Sequence, residues 1–289
     1  MDNLSALIVA VALMCIMFGM GLSLTVNDFK RIVREPRAVL IGLTNQLILV
    51  PLIGFALVSL LDLSPAVSIG IMILVACPGG ATSNLISHLA RGDTALSVTL
   101  TAVASLITVI TIPLIIRFAL SEFQGEDRKV TLDVFQTIGQ LLMIVVVPVA
   151  IGMIIRARAT AFALKMDKPV RVASGVLLAV ITLALIVKER SNIIPYLEQA
   201  GLPTVLLCVT TMVLGFFSAR LFRLKTRQAV SISIESGIQN SALAITIATV
   251  TLQDTGLGIA AAIYTLIMYV AGFGAILYGR KAVRAESVS

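Results

Sequence analysis

Charge is what this sequence lacks most. Only 13% of its 289 residues are Asp, Glu, Lys or Arg, while 58% are hydrophobic. Soluble domains carry about 25% charged and about 45–50% apolar residues, so the shortage excludes a water-soluble globule and leaves a chain whose solvent is lipid. Cysteine is scarce as well. Cys15, Cys77 and Cys208 are odd in number, far apart and each within an apolar stretch, which excludes a disulfide framework and a zinc site; Cys15 and Cys208 are expected to pack in the interior. Histidine occurs once, as His88, expected at a membrane interface or in a hydrogen bond rather than in a proton relay. The chain has no His-Glu-x-x-His pair, no Gly-x-Ser-x-Gly elbow and no second carboxylate inside an apolar stretch. Those absences argue against an intramembrane enzyme; the Gly92-Asp93 pair, in a loop, has no such partner either. The first apolar stretch has no basic leader or small-residue cleavage site and reads as a retained span, not a signal peptide.

What is present is apolar sequence in lengths that suit a bilayer. A spanning helix needs about 20 predominantly apolar residues. Nine stretches qualify, over approximately 4–26, 38–61, 66–90, 94–119, 133–155, 172–187, 203–222, 229–251 and 257–279. The sixth is short, and its far end is expected to extend toward Arg190. Basic residues sort by side. With the N-terminus outside, 17 of the 22 Lys and Arg residues fall in the inner segments 27–37, 91–93, 156–171, 220–228 and 280–289; Arg117, Arg128, Lys129, Lys188 and Arg190 are outer. That bias is the positive-inside signal, N-terminus out and C-terminus in. The basic loops therefore read as topology determinants and not as a nucleic-acid surface.

Against this background Glu235 stands alone. It is the one carboxylate of fifteen acidic residues placed deep in an apolar stretch. A charge at bilayer depth costs at least about 2.5–3.5 kcal/mol on insertion scales and marks a functional site by default. It opens the run Glu235-Ser236-Gly237-Ile238-Gln239-Asn240-Ser241, where Gly237 eases unwinding and Gln239 shares a face with Glu235 if the helix continues. The third stretch carries a second interruption, Cys77-Pro78-Gly79-Gly80-Ala81-Thr82-Ser83-Asn84. Pro78 lacks an amide hydrogen and crowds the preceding turn. The two breaks occupy corresponding places in halves of opposite orientation, about 1–120 and about 131–280, which is the sequence signature of a secondary transporter's binding site. A packing kink and a purely structural buried Glu remain alternatives for the two breaks taken singly.

Other polar residues lie at membrane depth. Ser97, Thr101, Ser105 and Thr108 recur on one helical face, either lining a site or back-bonding to their own carbonyls. Asn45-Gln46 is an amide pair that needs partners. The Gly19-Met20-Gly21 segment is expected to allow close helix packing.

These motifs resemble the bile acid:sodium symporter family. The resemblance rests on Cys77–Asn84 continuing through Leu89-Ala90-Arg91-Gly92-Asp93-Thr94-Ala95-Leu96-Ser97, on Glu235–Ser241, and on Met17-Phe18-Gly19-Met20-Gly21-Leu22. It spans most of the chain and implies a nine-helix bacterial member in the inner membrane. The fold implied is all-α and polytopic, with inverted-topology repeats and two discontinuous helices that cross. Spans two to four and seven to nine would form a core domain, and spans one, five and six a panel domain. The resemblance further implies two sodium ions. One would be held by Ser83, Asn84, Ser97, Thr101 and Glu235. The other would use Gln46, Glu235, Gln239 and the backbone carbonyls of Ser236 and Ile238. Asn240 and the backbone at Ala81 and Thr82 would face the substrate; Ala81 stands where some members have a hydroxyl residue.

The expectation is a sodium-coupled importer of an organic anion, either bile acid-like or a small carboxylate such as pantoate or a 2-keto acid. The rival is a proton-coupled carrier, or an exporter of the same superfamily, with Glu235 as the proton carrier. A passive channel is a weaker third reading.

Overall fold

The structure, a computed structural model, describes residues 3–125 and 130–286. It is helical, with no strand among the described residues. The helices are α1 (Asn3–Ser23), α2 (Val26–Arg34), α3 (Pro36–Thr44), α4 (Val50–Leu60), α5 (Pro65–Ala76), α6 (Ala81–Leu89) and α7 (Thr94–Phe123). They continue as α8 (Val134–Leu141), α9 (Val147–Arg158), α10 (Thr160–Lys188), α11 (Ile193–Leu221), α12 (Thr226–Gly237), α13 (Ser241–Thr246) and α14 (Ile259–Glu286). Among the described residues seven helices are long and apolar enough to cross a membrane, the pairs α3–α4 and α8–α9 each counting as one. The third and eighth apolar stretches are each divided, into α5 and α6 and into α12 and α13, at the two places where the sequence breaks. Of the expected outer basic residues, Arg128 and Lys129 lie outside the described residues.

The joins within α3–α4 and α8–α9 have a common cause. Each is a π-helical turn, Asn45–Leu49 and Leu142–Val146, that ends just before a proline at the second position of the next helix, Pro51 or Pro148. The ring has no N–H to donate and presses on the turn behind it; widening that turn by one residue relieves the crowding. In the first case the widened turn carries Asn45 and Gln46, both buried.

Three boundaries differ from expectation. The sixth span gains length at its near end, starting at Thr160 rather than 172, so most of the expected inner loop 156–171 is helix. Its charges belong to helical turns outside the apolar part, which a hydropathy reading assigns to a loop. The seventh starts at Ile193, ten residues earlier than expected. Segment 27–37 is also not a plain loop: Val26–Arg34 is helix, opened by a capping box in which the Thr25 amide and hydroxyl donate to Asp28 at 2.6 and 2.8 Å. This α2 packs on α7 and is pinned by Arg31 to Asp93 at 2.5 Å.

One buried apolar cluster runs through most of the helices. α1 lies against α9 and α10, whereas α11 lies against α12 and α14, and α5 against α7. The α1–α9 approach is backbone to backbone: a Cβ on Gly152 would come within 2.5 Å of the Phe18 carbonyl, and one on Gly21 would overlap the backbone of Val149. Small residues permit this close packing. Cys208 is buried as expected, but Cys15 is exposed on α1 and does not pack in the interior.

Candidate functional site

The two divided helices meet at their breaks. Gly79 and Gln239 form an isolated antiparallel bridge, and the Asn240 amide donates to the Pro78 carbonyl at 2.9 Å. Each break thus satisfies backbone groups that the other exposes, which permits unwound chain in the protein interior. Gly79 makes the room, since a Cβ would overlap Glu235 Oε1 and approach Ser83 Oγ at 3.2 Å, so that the carboxylate would have to shift. Glycine lets the first break press directly onto the carboxylate.

Glu235 is 2% exposed and remains helical, near the end of α12. The helix stops at Gly237, so Gln239 sits in the extended crossover and does not share a helical face with Glu235. The Ser97 hydroxyl donates to Glu235 Oε2 at 2.9 Å, and the Thr101 hydroxyl donates to Oε1. Both hydroxyls also lie against Asn84 Oδ1, at 2.8 and 3.1 Å. Ser83 donates to the Gly80 carbonyl at 2.7 Å, beside this group. Ser83, Asn84, Ser97, Thr101 and Glu235 are therefore brought together from α6, α7 and α12. Thr101 also bonds back to the Ser97 carbonyl at 3.0 Å, and the rest of the α7 stripe bonds only in that way: Ser105 to the Thr101 carbonyl and Thr108 to that of Ser105.

A second polar group lies on the other side of the crossover. Gln46 Nε2 donates to Gln239 Oε1 at 2.9 Å and to the Cys77 carbonyl at 3.1 Å. Gln239 Nε2 donates to the Ser236 carbonyl at 2.8 Å. Gln46 Oε1 is buried with no hydrogen-bond partner. Ile238 is buried in the same turn. The hydrogen bonds of Glu235 run to the hydroxyl group and not to this amide group. Asn45 has the partner its depth requires, donating to Ser218 Oγ at 2.7 Å.

Two cavities adjoin the crossover. One, of about 120 Å³, is lined by Ala81, Thr82 and Asn240 together with Ile16 of α1 and Leu178 of α10. The other, of about 340 Å³, is lined by Asn84 and His88 of α6 with residues of α1, α7 and α10. His88 is exposed at its rim, 3.5 Å from the Thr94 hydroxyl. Asn240 caps α13 by accepting from the Leu243 amide at 3.1 Å. The sequence reading missed Tyr264. It is fully buried, and its hydroxyl donates at 2.7 Å to the Gly237 carbonyl, where α12 unwinds. A tyrosine in an apolar span whose hydroxyl must find a partner is the signal that could have found it.

Divided helices that cross at their breaks, with a buried carboxylate beside them, define a polytopic membrane transporter. The profile of the Sodium Bile acid symporter family matches residues 10–195, and the chain belongs to this family. Its similar relatives include the uncharacterized sodium-dependent transporter YocS of Bacillus subtilis, 32% identical across 81% of this chain and 71% of the relative. The probable sodium/metabolite cotransporter BASS1 of Arabidopsis thaliana chloroplasts is 28% identical across 83% of this chain and 58% of the relative. The rabbit ileal sodium/bile acid cotransporter is 27% identical across 83% of this chain and 68% of the relative. The family consists of transporters rather than enzymes, and sodium-coupled symport is its shared activity.

Proposed function

We propose that the chain imports an organic anion with two sodium ions by alternating access, in a bacterial inner membrane with its N-terminus outside. One observation carries the reading. Around Glu235, three acceptor oxygens (Asn84 Oδ1 and both carboxylate oxygens) converge on Ser97 and Thr101, whose hydroxyls supply two hydrogens between them. The surplus of lone pairs favours a cation, and hydroxyl, amide and carboxylate oxygens suit a hard one.

The orphaned Gln46 Oε1, with Gln239 and the Ser236 and Ile238 carbonyls, supports a second cation on the far side of the crossover. Glu235 would be the carboxylate shared by both ions, its hydrogen bonds here running to the first group. Two sodium ions and one negative carboxylate leave a net positive charge, which attracts an anion to the neighbouring cavity at Ala81, Thr82 and Asn240. The α6 N-terminus, at Ala81 and Thr82, adds its dipole. The α1–α9–α10 neighbourhood, corresponding to the panel, borders both cavities through α1 and α10. Rocking of that group against the rest would open the crossover to either side. With a monovalent anion each cycle moves one positive charge inward, and a 100 mV potential contributes about 2.3 kcal/mol.

The test is a thermal-shift screen of carboxylates and bile acids on the purified protein, in sodium and in choline. Ligand stabilisation follows mass action, so a hit seen only in sodium identifies substrate class and coupling together. Uptake of that hit that survives replacement of sodium by choline, but is abolished by collapsing the proton gradient, would establish the proton-coupled rival instead.

A further inference from the structure

Asn84 touches two compartments at once. Its Oδ1 accepts from Ser97 and Thr101 on the Glu235 side, and the residue also lines the 340 Å³ vestibule. The polar side chains around that vestibule are Ser23, Asn84, His88, Thr94 and Ser174, with no Lys or Arg among its lining residues. A carboxylate passing through would find few donors there, and the Asn84 amide is the one in contact with the Glu235 cluster.

Which end of the amide faces which way follows from counting hydrogens. With Oδ1 toward the hydroxyls and Glu235 ionised, Ser97 and Thr101 offer two hydrogens to three acceptor oxygens, and a cation bound there supplies the missing positive charge. Turned by half a turn about its Cβ–Cγ bond, the same amide would donate one hydrogen to Ser97 Oγ and one to Thr101 Oγ1. Those hydroxyls would then donate to the two Glu235 oxygens, and every group would be satisfied without a cation. The two orientations are nearly isosteric and differ in what the vestibule sees: amide hydrogens in the first, a carbonyl oxygen in the second. A carboxylate only accepts, so it is attracted by the first and repelled by the second.

We infer that the Asn84 amide is a sodium-driven polarity switch, and that the vestibule beneath it is a carboxylate-binding station whose sign the cation sets. Sodium bound at Glu235 holds Oδ1 inward and presents the N–H pair to the anion. In its absence the amide turns and the station rejects carboxylates. Coupling then needs no movement of backbone at this step. The inference rests on sodium binding at Glu235, as proposed above, and adds the residue through which the anion senses it. A hydrogen bond to a charged group contributes about 1.5–3 kcal/mol, equivalent to about a tenfold to hundredfold change in carboxylate affinity.

The chain has six asparagines, Asn3, Asn27, Asn45, Asn84, Asn192 and Asn240, so selective side-chain ¹⁵N labelling gives a tractable amide spectrum. Asn84→Asp assigns the Asn84 pair by its disappearance. Hydrogen exchange of that pair is then measured in the intact protein in sodium and in choline chloride, with thermal stabilisation recorded in parallel. Ion binding ordinarily slows exchange, whereas the switch predicts the reverse at this one side chain. The Asn84 amide hydrogens should exchange at least about tenfold faster in sodium, as they leave the buried hydroxyls for the wet vestibule. Sodium stabilisation with Asn84 exchange unchanged or slowed overturns the switch and leaves sodium binding intact. No sodium stabilisation at all overturns both.

Discussion

Gln46 reaches across 193 residues of sequence to donate a 2.9 Å hydrogen bond to Gln239, and this leaves its own Oε1 buried without a partner. Both side chains sit where the chain is irregular, one in a π-helical turn and the other in the crossover. A buried acceptor without a donor costs about 1–3 kcal/mol, which a cation placed there would offset.

Gln46→Leu removes that acceptor while keeping the residue's bulk. The expected result is loss of one ion from the cycle, so that the Hill coefficient for sodium-dependent uptake falls from about two to about one. A coefficient that stays near two would remove Gln46 from the second site.

Gly79→Ala places a methyl group where Glu235 Oε1 now lies. Overpacking of this kind costs about 1–3 kcal/mol, and here the strain falls on the carboxylate itself. Sodium stabilisation should be lost while the protein still inserts and purifies as a folded species. Gly80→Ala, at a position with the nearest atom 3.7 Å from an added Cβ, is the control and should retain it.

Tyr264→Phe strips the hydroxyl from the Gly237 carbonyl without changing the ring. The carbonyl keeps only the weaker Cys208 thiol, at 3.6 Å, and the loss should cost about 1 kcal/mol of stability, read as a lower unfolding midpoint. The freed peptide lies next to Ile238, so sodium affinity should fall as well. An unchanged sodium titration would confine Tyr264 to structural support.

Asp93 has two roles at the start of α7: it ties α2 there through its ion pair with Arg31, and it caps α7 by accepting from the Leu96 amide at 3.1 Å. Asp93→Asn keeps the cap and loses the charge; because the pair is partly exposed, the cost should be under about 1 kcal/mol. Asp93→Ala loses the cap too and should cost about 1 kcal/mol more. Thermal unfolding of the two variants separates the contributions, and equal midpoints would assign nothing to the cap.

Much of this was legible in the sequence because the bilayer is an unforgiving solvent. Apolar length located the helices, and Pro78-Gly79-Gly80 could hardly continue one. Glu235 had to have partners, and the α7 hydroxyls lay at the spacing that could supply them. What escaped was set by tertiary contact. Nothing local distinguishes Ser97 and Thr101, which reach the carboxylate, from Ser105 and Thr108, which bond only to their own helix. The charges of Lys165 and Lys168 hid the first turns of α10, since a helix projecting beyond the membrane reads as a loop on hydropathy alone. α2 was hidden for the same reason, although Val26, Phe29 and Val33 recur at helical spacing. The end of α12 at Gly237 depends on Tyr264 and on the bridge to Gly79, partners distant in sequence.

Whether Glu235 holds the coupling cation is read from the unfolding midpoint of wild type and Glu235→Gln in sodium and in choline chloride of equal ionic strength. Wild type should be stabilised as sodium rises, by about 2.7 kcal/mol at a hundredfold excess over its dissociation constant. Glu235→Gln, equal in shape but neutral, should insert and fold yet show no sodium-dependent shift. A variant that keeps the wild-type sodium shift would show that the cation is held without the Glu235 carboxylate.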